Sequence, residues 1–203
     1  MPQLKTLKIL LILSACLLAG MVAAFLLNPA QVDVKASGHQ LGGDFTLTSD
    51  TGPVSLSDFK GKVVALYIGY ASCPDVCPTA LAVLSQAFRN LTSEQRDQVQ
   101  GIFISVDPER DTPEKLARYA RFFSDHLIGV TGSREQIDRV VRQYGAFYRM
   151  VELEDSALGY AVDHSSRLYL IDRNGDLAGT LIHNSTPTEL SEWLQRLLKD
   201  KES

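Results

Sequence analysis

The feature that most constrains this chain is an uninterrupted apolar run near its N-terminus. Residues 9–27 are 19 consecutive residues without a charge or a proline. A helix rising about 1.5 Å per residue would make this run roughly 28 Å long, close to the hydrocarbon thickness of a bilayer. The run therefore predicts a transmembrane helix, because a core helix of that length would carry polar positions.

The flanks of the run predict its orientation. Lys5 and Lys8 precede it, and positive charge on a short N-terminal flank keeps that end in the cytoplasm. We expect residues 1–8 to be a cytoplasmic flank, residues 28–43 a polar tether, and the rest of the chain to lie outside the cytoplasmic (inner) membrane. The location expected for the soluble domain is the periplasmic or extracytoplasmic side.

A second kind of anchor stays open. The tetrapeptide that ends at Cys16 (LSAC) resembles a bacterial lipobox, which would make residues 1–15 a signal and Cys16 a lipidated N-terminus. The apolar run continues for eleven residues beyond Cys16, which a lipoprotein signal does not require. Either anchor places the following domain on the outer side of a membrane.

The composition beyond the anchor excludes several classes of protein. Lys5 and Lys8 are the only charged residues before position 31, so the remainder holds 18 basic and 24 acidic residues. This acidic balance argues against a nucleic-acid partner, which would favour a basic excess. Modest contents of Gly, Pro and Cys exclude collagen-like, disordered and disulfide-dense chains.

Residues 44–203 alternate between apolar β-branched runs and helical spacing, which predicts one α/β domain. Strands are expected at residues 45–48, 54–56, 62–70, 101–106, 127–130, 167–171 and 177–182. Helices are expected at residues 78–91, 112–123, 133–144 and 186–199, with a short helix after Thr92. The strand–helix alternation, a hairpin and a closing helix predict a thioredoxin-like fold.

Two local features of this domain carry further expectations. Asn174-Gly175 lies between the last two strands and predicts a type I′ turn. Tyr119, Phe122 and Phe123 recur at helical spacing, so we expect all three to pack into the core.

Cys73 and Cys77 carry the chemistry. They follow a predicted buried strand and open a helix, at the edge of the sheet where α/β proteins form ligand sites. A spacing of four places both sulfur atoms on one face of a helical turn, where the helix dipole favours thiolates. Two such sulfurs can form a disulfide or bind a soft metal such as Cu(I) or Zn. A purely structural disulfide is disfavoured, because so short a loop constrains the unfolded chain little.

A metal site needs a third ligand, and four histidines are candidates. His39 lies in the tether, His126 follows a helix end, and His183 follows a strand. His164 stands directly before the strand predicted at residues 167–171. In a thioredoxin-like sheet the loop entering that strand faces the cysteine helix, so His164 is the preferred ligand.

Four aspartates near these residues carry weaker expectations. Asp107 and Asp111 follow a strand at the cysteine edge of the sheet and can support the site or dock a partner, although Asp111 is better explained as a helix-start residue. Asp75 is expected to stabilise the helix N-terminus. Asp163 can orient His164, although adjacent side chains usually point apart.

Several segments together resemble the Sco/SenC family of copper proteins, over roughly residues 40 to 200. The combination of CPDVCP with a downstream DHS is specific, whereas CxxxC alone is weak. The resembling segments are residues 42–47, 56–62, 67–78, 105–113 and 163–165. The resemblance implies a thioredoxin-like fold, a copper ion, Cu(I) or Cu(II), held by Cys73, Cys77 and His164, and a role in assembling the binuclear copper site of the second subunit of cytochrome c oxidase.

Two functions from different classes remain open. The first is a copper-binding assembly factor without catalytic turnover, supplied by a periplasmic copper donor. The second is a thiol–disulfide oxidoreductase in which Cys73 attacks a disulfide of the oxidase subunit and Cys77 resolves the intermediate. Such oxidoreductases use CxxC and a cis-proline before the strand that faces the motif. Here the spacing is CxxxC, and no proline lies between Pro113 and Pro187, which favours metal binding.

Overall fold

A five-stranded mixed sheet forms the centre of the domain. The computed structural model describes residues 8, 41–153 and 159–199. Its strands are β1 (Thr46–Ser49), β2 (Gly52–Ser55), β3 (Val63–Gly69), β4 (Val99–Ser105), β5 (Leu127–Val130), β6 (Tyr148–Glu152), β7 (Tyr160–His164), β8 (Arg167–Ile171) and β9 (Leu177–Ile182). Its helices are α1 (Val76–Arg89), α2 (Ser93–Arg96), α3 (Pro113–Phe123), α4 (Arg134–Gln143) and α5 (Pro187–Lys199), with a 3-10 helix at Leu56–Phe59.

The order of strands in the central sheet is β5-β4-β3-β8-β9. β3, β4 and β5 run parallel, whereas β8 and β9 are antiparallel to their neighbours. Every residue of β3 is buried, as expected for an uncharged aliphatic run in the middle of a sheet. This sheet with its flanking helices confirms the predicted thioredoxin-like α/β domain. The carboxyl ends of β3 and β4 and the beginning of β8 consequently meet at one edge.

The helix starts follow the capping signals in the sequence. The hydroxyls of Thr92, Thr112 and Ser133 each accept a hydrogen bond from the backbone N–H three residues later, at the starts of α2, α3 and α4. In α1, Leu81, Leu84 and Phe88 are buried in the common core, at the helical spacing noted in the sequence.

The hairpin formed by β6 and β7 was not predicted. Its residues are half-buried or exposed, without regular alternation, except Val162, which is buried. The expected loop before β8 is therefore a strand, and His164 is its last residue. Within the described residues, this hairpin pairs as a sheet of its own and not with the central sheet.

The turn between β8 and β9 differs from the predicted type I′ turn. A type I′ turn needs positive φ at both central residues, and Gly175 has φ 95° but Asn174 does not have a positive φ. The Gly175 N–H donates to the carbonyl of Asp172, whose side chain accepts hydrogen bonds from the backbone N–H groups of Asn174 and Asp176. The Asp172 side chain thus shapes a longer turn in which glycine alone takes the left-handed conformation.

The aromatic stripe of α3 only partly enters the core. Tyr119 and Phe123 are half-buried against it, but Phe122 is 83% exposed. The expectation for Phe122 was wrong, because the side chains of adjacent helical residues point in directions about 100° apart.

The predicted anchor at residues 9–27 and the lipidation candidate Cys16 lie outside the described residues. Among the residues that are described, no helix combines the length and the apolar character needed to cross a bilayer.

Candidate metal centre

Cys73 lies in the loop after β3 and Cys77 in the first turn of α1, at the edge of the sheet where β3 ends. Cys73 is 8% exposed and Cys77 is fully buried. Space for Cys77 comes from Gly69, because a Cβ built on Gly69 would lie 2.6 Å from Sγ of Cys77. Both cysteines are free thiols in the structure. Cys73 precedes α1, so the two cysteines do not share a helical turn as predicted, but the loop brings their sulfurs within 4.8 Å of each other.

His164 contacts the cysteines from strand β7. It ends β7, three residues before β8 begins, and it is half-buried. Nε2 of His164 lies 3.2 Å from Sγ of Cys77. The ligand atoms of Cys73, Cys77 and His164 all lie within 4.8 Å of one another. The structure thus brings together the three residues that the sequence analysis selected.

A backbone contact determines which nitrogen of His164 faces the sulfurs. Nδ1 lies 3.1 Å from the carbonyl oxygen of Ser165, which can only accept a hydrogen bond. In the neutral ring Nδ1 then carries the proton, and Nε2 presents its lone pair to Cys77. Metal-binding histidines are usually oriented in this way, with the second ring nitrogen donating to a carbonyl or carboxylate.

The two thiols differ in acidity. A hydrogen bond from the Cys77 thiol, opposed by burial, lowers the pKa of Cys73, and the backbone N–H groups of Asp75 and Cys77 at the start of α1 lower it further. Burial, followed by the interaction with Cys73, raises the pKa of Cys77. Two sulfurs and Nε2 of His164 lie within 4.8 Å of one another, so a soft cation between them would meet three donors.

Tyr67 and Tyr70 form aromatic walls of the site that the sequence analysis did not select. Their rings meet the His164 ring edge-on, with centroid separations of 6.2 Å and 5.7 Å. Burial, followed by the neighbouring Cys77, raises the pKa of Tyr67, so its hydroxyl stays protonated. In the sequence both tyrosines belong to the apolar run predicted as a strand, and no signal distinguished them from ordinary core residues.

Of the other histidines, the two that the structure describes, His126 and His183, do not join the cluster. His39 lies outside the described residues. His126 packs edge-on against Phe88, and its carbonyl accepts from the N–H of Gly101 near the beginning of β4, at the opposite end of the strand from the cysteine edge. The backbone N–H of His183 donates to the carbonyl of Ser166, which places His183 at the same edge as His164 but outside the ligand cluster.

Asp75 and Asp163 do not belong to the ligand cluster. Asp75 is the N-cap residue of α1, but its side chain makes no capping hydrogen bond. Asp163 points away from His164 and forms an exposed ion pair with Arg149 on β6, 2.8 Å long. Alternation along β7 explains this, because successive side chains in a strand point to opposite faces.

Asp111 does not start a helix, which corrects the expectation. Thr112 is the N-cap of α3, whereas the side chain of Asp111 is fully buried. Its carboxylate accepts hydrogen bonds from the backbone N–H of Ala71 at 2.8 Å and from the hydroxyl of Ser105 at 2.6 Å. Asp107 is also fully buried and bonds to the hydroxyl of Tyr160 at 2.7 Å. Both aspartates lie at the cysteine edge, as predicted.

With the fold and the three ligand atoms established, the chain can be compared with known proteins. The family model SCO1/SenC matches residues 33–199. The SCO2-like protein of Rickettsia conorii is 36% identical over 203 residues, which cover 95% of this chain and 98% of that protein. The chain belongs to the SCO1/SenC family. The resemblance stated from the sequence motifs is thereby confirmed.

Solved structures of the SCO1/SenC family agree with the fold. Bradyrhizobium japonicum ScoI with copper bound is 38% identical and has a TM-score of 0.70, and the match covers 78% of this chain and 99% of that one. Arabidopsis thaliana ScoI with copper bound is 35% identical with a TM-score of 0.71, and the match covers 79% and 99% of the two chains. Copper is thus present in both of these relatives.

Proposed function

We propose that this chain is a membrane-anchored copper-binding protein that assists assembly of the binuclear copper site of cytochrome c oxidase. Copper, Cu(I) or Cu(II), is its cargo, and Cys73, Cys77 and His164 hold it. The observation that carries the proposal is the convergence of two sulfurs and one imidazole nitrogen within 4.8 Å. Family membership and the copper-bound relatives support the same metal.

The donor set fits copper. Thiolates are soft ligands that suit Cu(I) as well as Zn, and imidazole suits copper in either oxidation state. The His164 tautomer set by the Ser165 carbonyl already presents Nε2 to the cysteines. Bound ligands must be deprotonated, and the lowered pKa of Cys73 makes one thiolate available without a base.

The proposed anchor follows from the sequence pattern. Residues 9–27 would span the cytoplasmic membrane, residues 28–43 would form the tether, and residues 44–203 would face the periplasm. A lipidated Cys16 would give the same orientation. We propose the second oxidase subunit as the acceptor and a periplasmic protein as the copper donor. Fractionation of cells that produce the full chain, with Cys16→Ser as the comparison, tests the two anchors. Membrane retention by that variant supports the transmembrane helix.

The experiment for the metal site is anaerobic copper titration of the reduced, detergent-solubilised full chain, followed by X-ray absorption. We expect two sulfur and one or two nitrogen ligands per copper. His164→Ala should greatly weaken Cu(II) binding and remove the thiolate-to-copper absorption while the fold stays intact. His183→Ala, which removes a histidine at the same edge outside the cluster, is the matched control and should bind as the parent does. Unchanged binding and spectrum in His164→Ala would defeat the assignment.

The unequal thiols favour a second candidate function, an extracytoplasmic thiol–disulfide oxidoreductase acting on the oxidase subunit. The Cys73 thiolate would attack a partner disulfide, and the partner's first thiolate would leave. The Cys77 thiolate would then attack Cys73, releasing the second partner thiolate and forming the Cys73–Cys77 disulfide. A separate thiol reductant would have to restore the pair.

This second function predicts a different response to substitution. His164→Ala should retain reduction of a disulfide peptide taken from the oxidase copper site, and Cys73→Ser should abolish it. A parent that binds copper but does not reduce the peptide would favour the metal-binding function alone.

A further inference from the structure

The loop that joins β4 to α3 holds two fully buried carboxylates, those of Asp107 and Asp111. Carboxylates are seldom fully buried without partners, because their hydration is costly to remove. Each of these two is bound by a cation from its own helix or loop, Asp107 by Arg110 and Asp111 by Lys115. Each also binds a second segment, and the two second segments carry different parts of the metal centre.

Asp111 holds the segment that leads into Cys73. Oδ2 of Asp111 accepts from the backbone N–H of Ala71 at 2.8 Å. Oδ1 pairs with Nζ of Lys115 at 2.7 Å, and the same ammonium donates to the hydroxyl of Ser72 at 3.2 Å. The two residues immediately before Cys73 are therefore both tied to this carboxylate and its cation.

Asp107 holds the strand that ends in His164. Oδ1 of Asp107 accepts from the hydroxyl of Tyr160, the first residue of β7, at 2.7 Å. Arg110, paired with Asp107, donates to the carbonyl of Tyr160 at 2.9 Å, and its guanidinium lies 3.7 Å from the centre of the Tyr160 ring. Strand β7 is thus bound at its first residue, four residues from the metal ligand.

These links add to the backbone, which joins His164 to the central sheet only at its C-terminal side, where β8 begins three residues later and pairs with β3. Within the described part of the chain, β7 pairs with β6 and not with the central sheet that carries the cysteine loop. The start of β7 is therefore bound to the β4–α3 loop by side chains, in addition to the backbone that joins its end to β8. The β4–α3 loop binds both segments and can therefore fix the distance between the start of β7 and the Cys73 segment.

We propose that Asp107 and Asp111 are positioning residues, which hold the Cys73 segment and the His164 strand in register so that the three ligand atoms converge before copper binds. This inference rests on the proposed copper site. Ligands that are already in place lose less conformational freedom on binding. Removing the groups that support metal ligands typically lowers metal affinity by about 10- to 100-fold.

The test uses one variant for each link, in the reduced full chain in detergent. Tyr160→Phe removes the hydroxyl that binds Asp107 and keeps the ring on Arg110. Asp111→Asn removes the charge that holds Lys115. The controls are Tyr144→Phe, which removes a hydroxyl bonded to the Gly43 carbonyl at 3.0 Å, and Asp50→Asn, which removes the ion pair with Arg121.

Copper affinity is measured by competition between the protein and a chromophoric Cu(I) chelator, at a temperature where circular dichroism shows each variant folded. Tyr160→Phe and Asp111→Asn should each bind about tenfold more weakly or worse and shift the thiolate-to-Cu(II) absorption. The two controls should match the parent. Binding within twofold of the parent in both test variants would overturn the inference, and Tyr160→Phe keeps the test valid if Asp111→Asn folds poorly.

Amide hydrogen exchange without copper separates this inference from the proposed function. Faster exchange is expected at Ala71 in Asp111→Asn and along β7 in Tyr160→Phe. A parent that binds no copper, with these exchange changes present, would refute the proposed function and leave the positioning role supported. Unchanged exchange at both places would refute the positioning role whatever the copper result.

Discussion

Replacing Gly69 by alanine tests whether the Cys77 sulfur needs the space that a glycine leaves in β3. The added Cβ would lie 2.6 Å from Sγ of Cys77, and 3.1 Å and 3.3 Å from ring carbons of Tyr67 and Phe103. Nonbonded atoms of this kind pack at about 3.5–4.0 Å, so the methyl group would overlap the sulfur by about 1 Å. Cys77 is fully buried and packed in the core, so the overlap must be relieved by moving the sulfur or the strand.

The magnitude follows from packing and from metal geometry. Overpacking a well-packed core costs about 1–3 kcal/mol of folding free energy. Metal–ligand distances must hold to about 0.2 Å, so a sulfur displaced by about 1 Å cannot keep its place in the cluster. If restoring its position costs the same 1–3 kcal/mol in the bound state, copper affinity falls by about 5- to 150-fold, since 1.4 kcal/mol is tenfold.

Gly101→Ala is the matched control. Its Cβ would lie 2.7 Å from Cδ1 of Leu127 and 3.2 Å from the carbonyl oxygen of His126, near the other end of the sheet. Both variants should lower the urea midpoint of unfolding. Only Gly69→Ala should bind Cu(I) more weakly than the parent, as measured by competition with a Cu(I) chelator. If Gly69→Ala binds copper as tightly as Gly101→Ala, the space above Cys77 is not needed and the reasoning is wrong.

Three further predictions concern acidity and capping. Because the pKa of Cys73 is lowered, chiefly by the Cys77 thiol against the effect of burial, its ultraviolet thiolate absorbance should persist well below the usual thiol pKa of about 8.5, and Cys77→Ala should shift the midpoint upward. Burial raises the pKa of Asp44, but hydrogen bonds from Ser57 and from the following backbone N–H outweigh it and hold the pKa below its usual value. The ionised Asp44 therefore stabilises the fold fully above the unfolded pKa of about 3.9, and this stabilisation is lost as the pH falls through the folded pKa. The urea midpoints of the parent and Asp44→Asn should accordingly converge as the pH is lowered from about 7 to about 3. Thr112→Ala removes the N-cap oxygen of α3 and should lower the free energy of unfolding by about 1 kcal/mol, measured by urea titration; an unchanged midpoint would show that water replaces this cap.

Local signals in the sequence were enough for most of the fold. The apolar run at residues 62–70 predicted a central strand, which the structure has at Val63–Gly69, and the caps at Thr112 and Ser133 located the helices that follow. The candidate site was accessible for the same reason. Cys73 and Cys77 follow the carboxyl end of a buried strand, where the fold class itself predicts a ligand site.

Other features depend on contacts between distant segments and carry no local signal. The β6–β7 hairpin buries little apolar surface, so neither of its strands shows a strong pattern. Asp111 looks like a helix-start residue because Thr112-Pro113 follows it, yet its partner Ala71 lies forty residues earlier in the chain. A hydrogen bond between such segments exists only after the sheet has brought two loops to one edge.

The sequence by itself determined which residues this protein offers to a metal, because two cysteines at a helix start and a histidine before a strand are properties of local order. Tertiary structure alone decided that these donors meet within 4.8 Å and that Nε2 of His164 faces Cys77. It also decided which buried carboxylates accept hydrogen bonds from the segments that carry these donors. The physical reason is range: strand and helix signals act over a few residues, whereas the metal centre joins segments 87 residues apart.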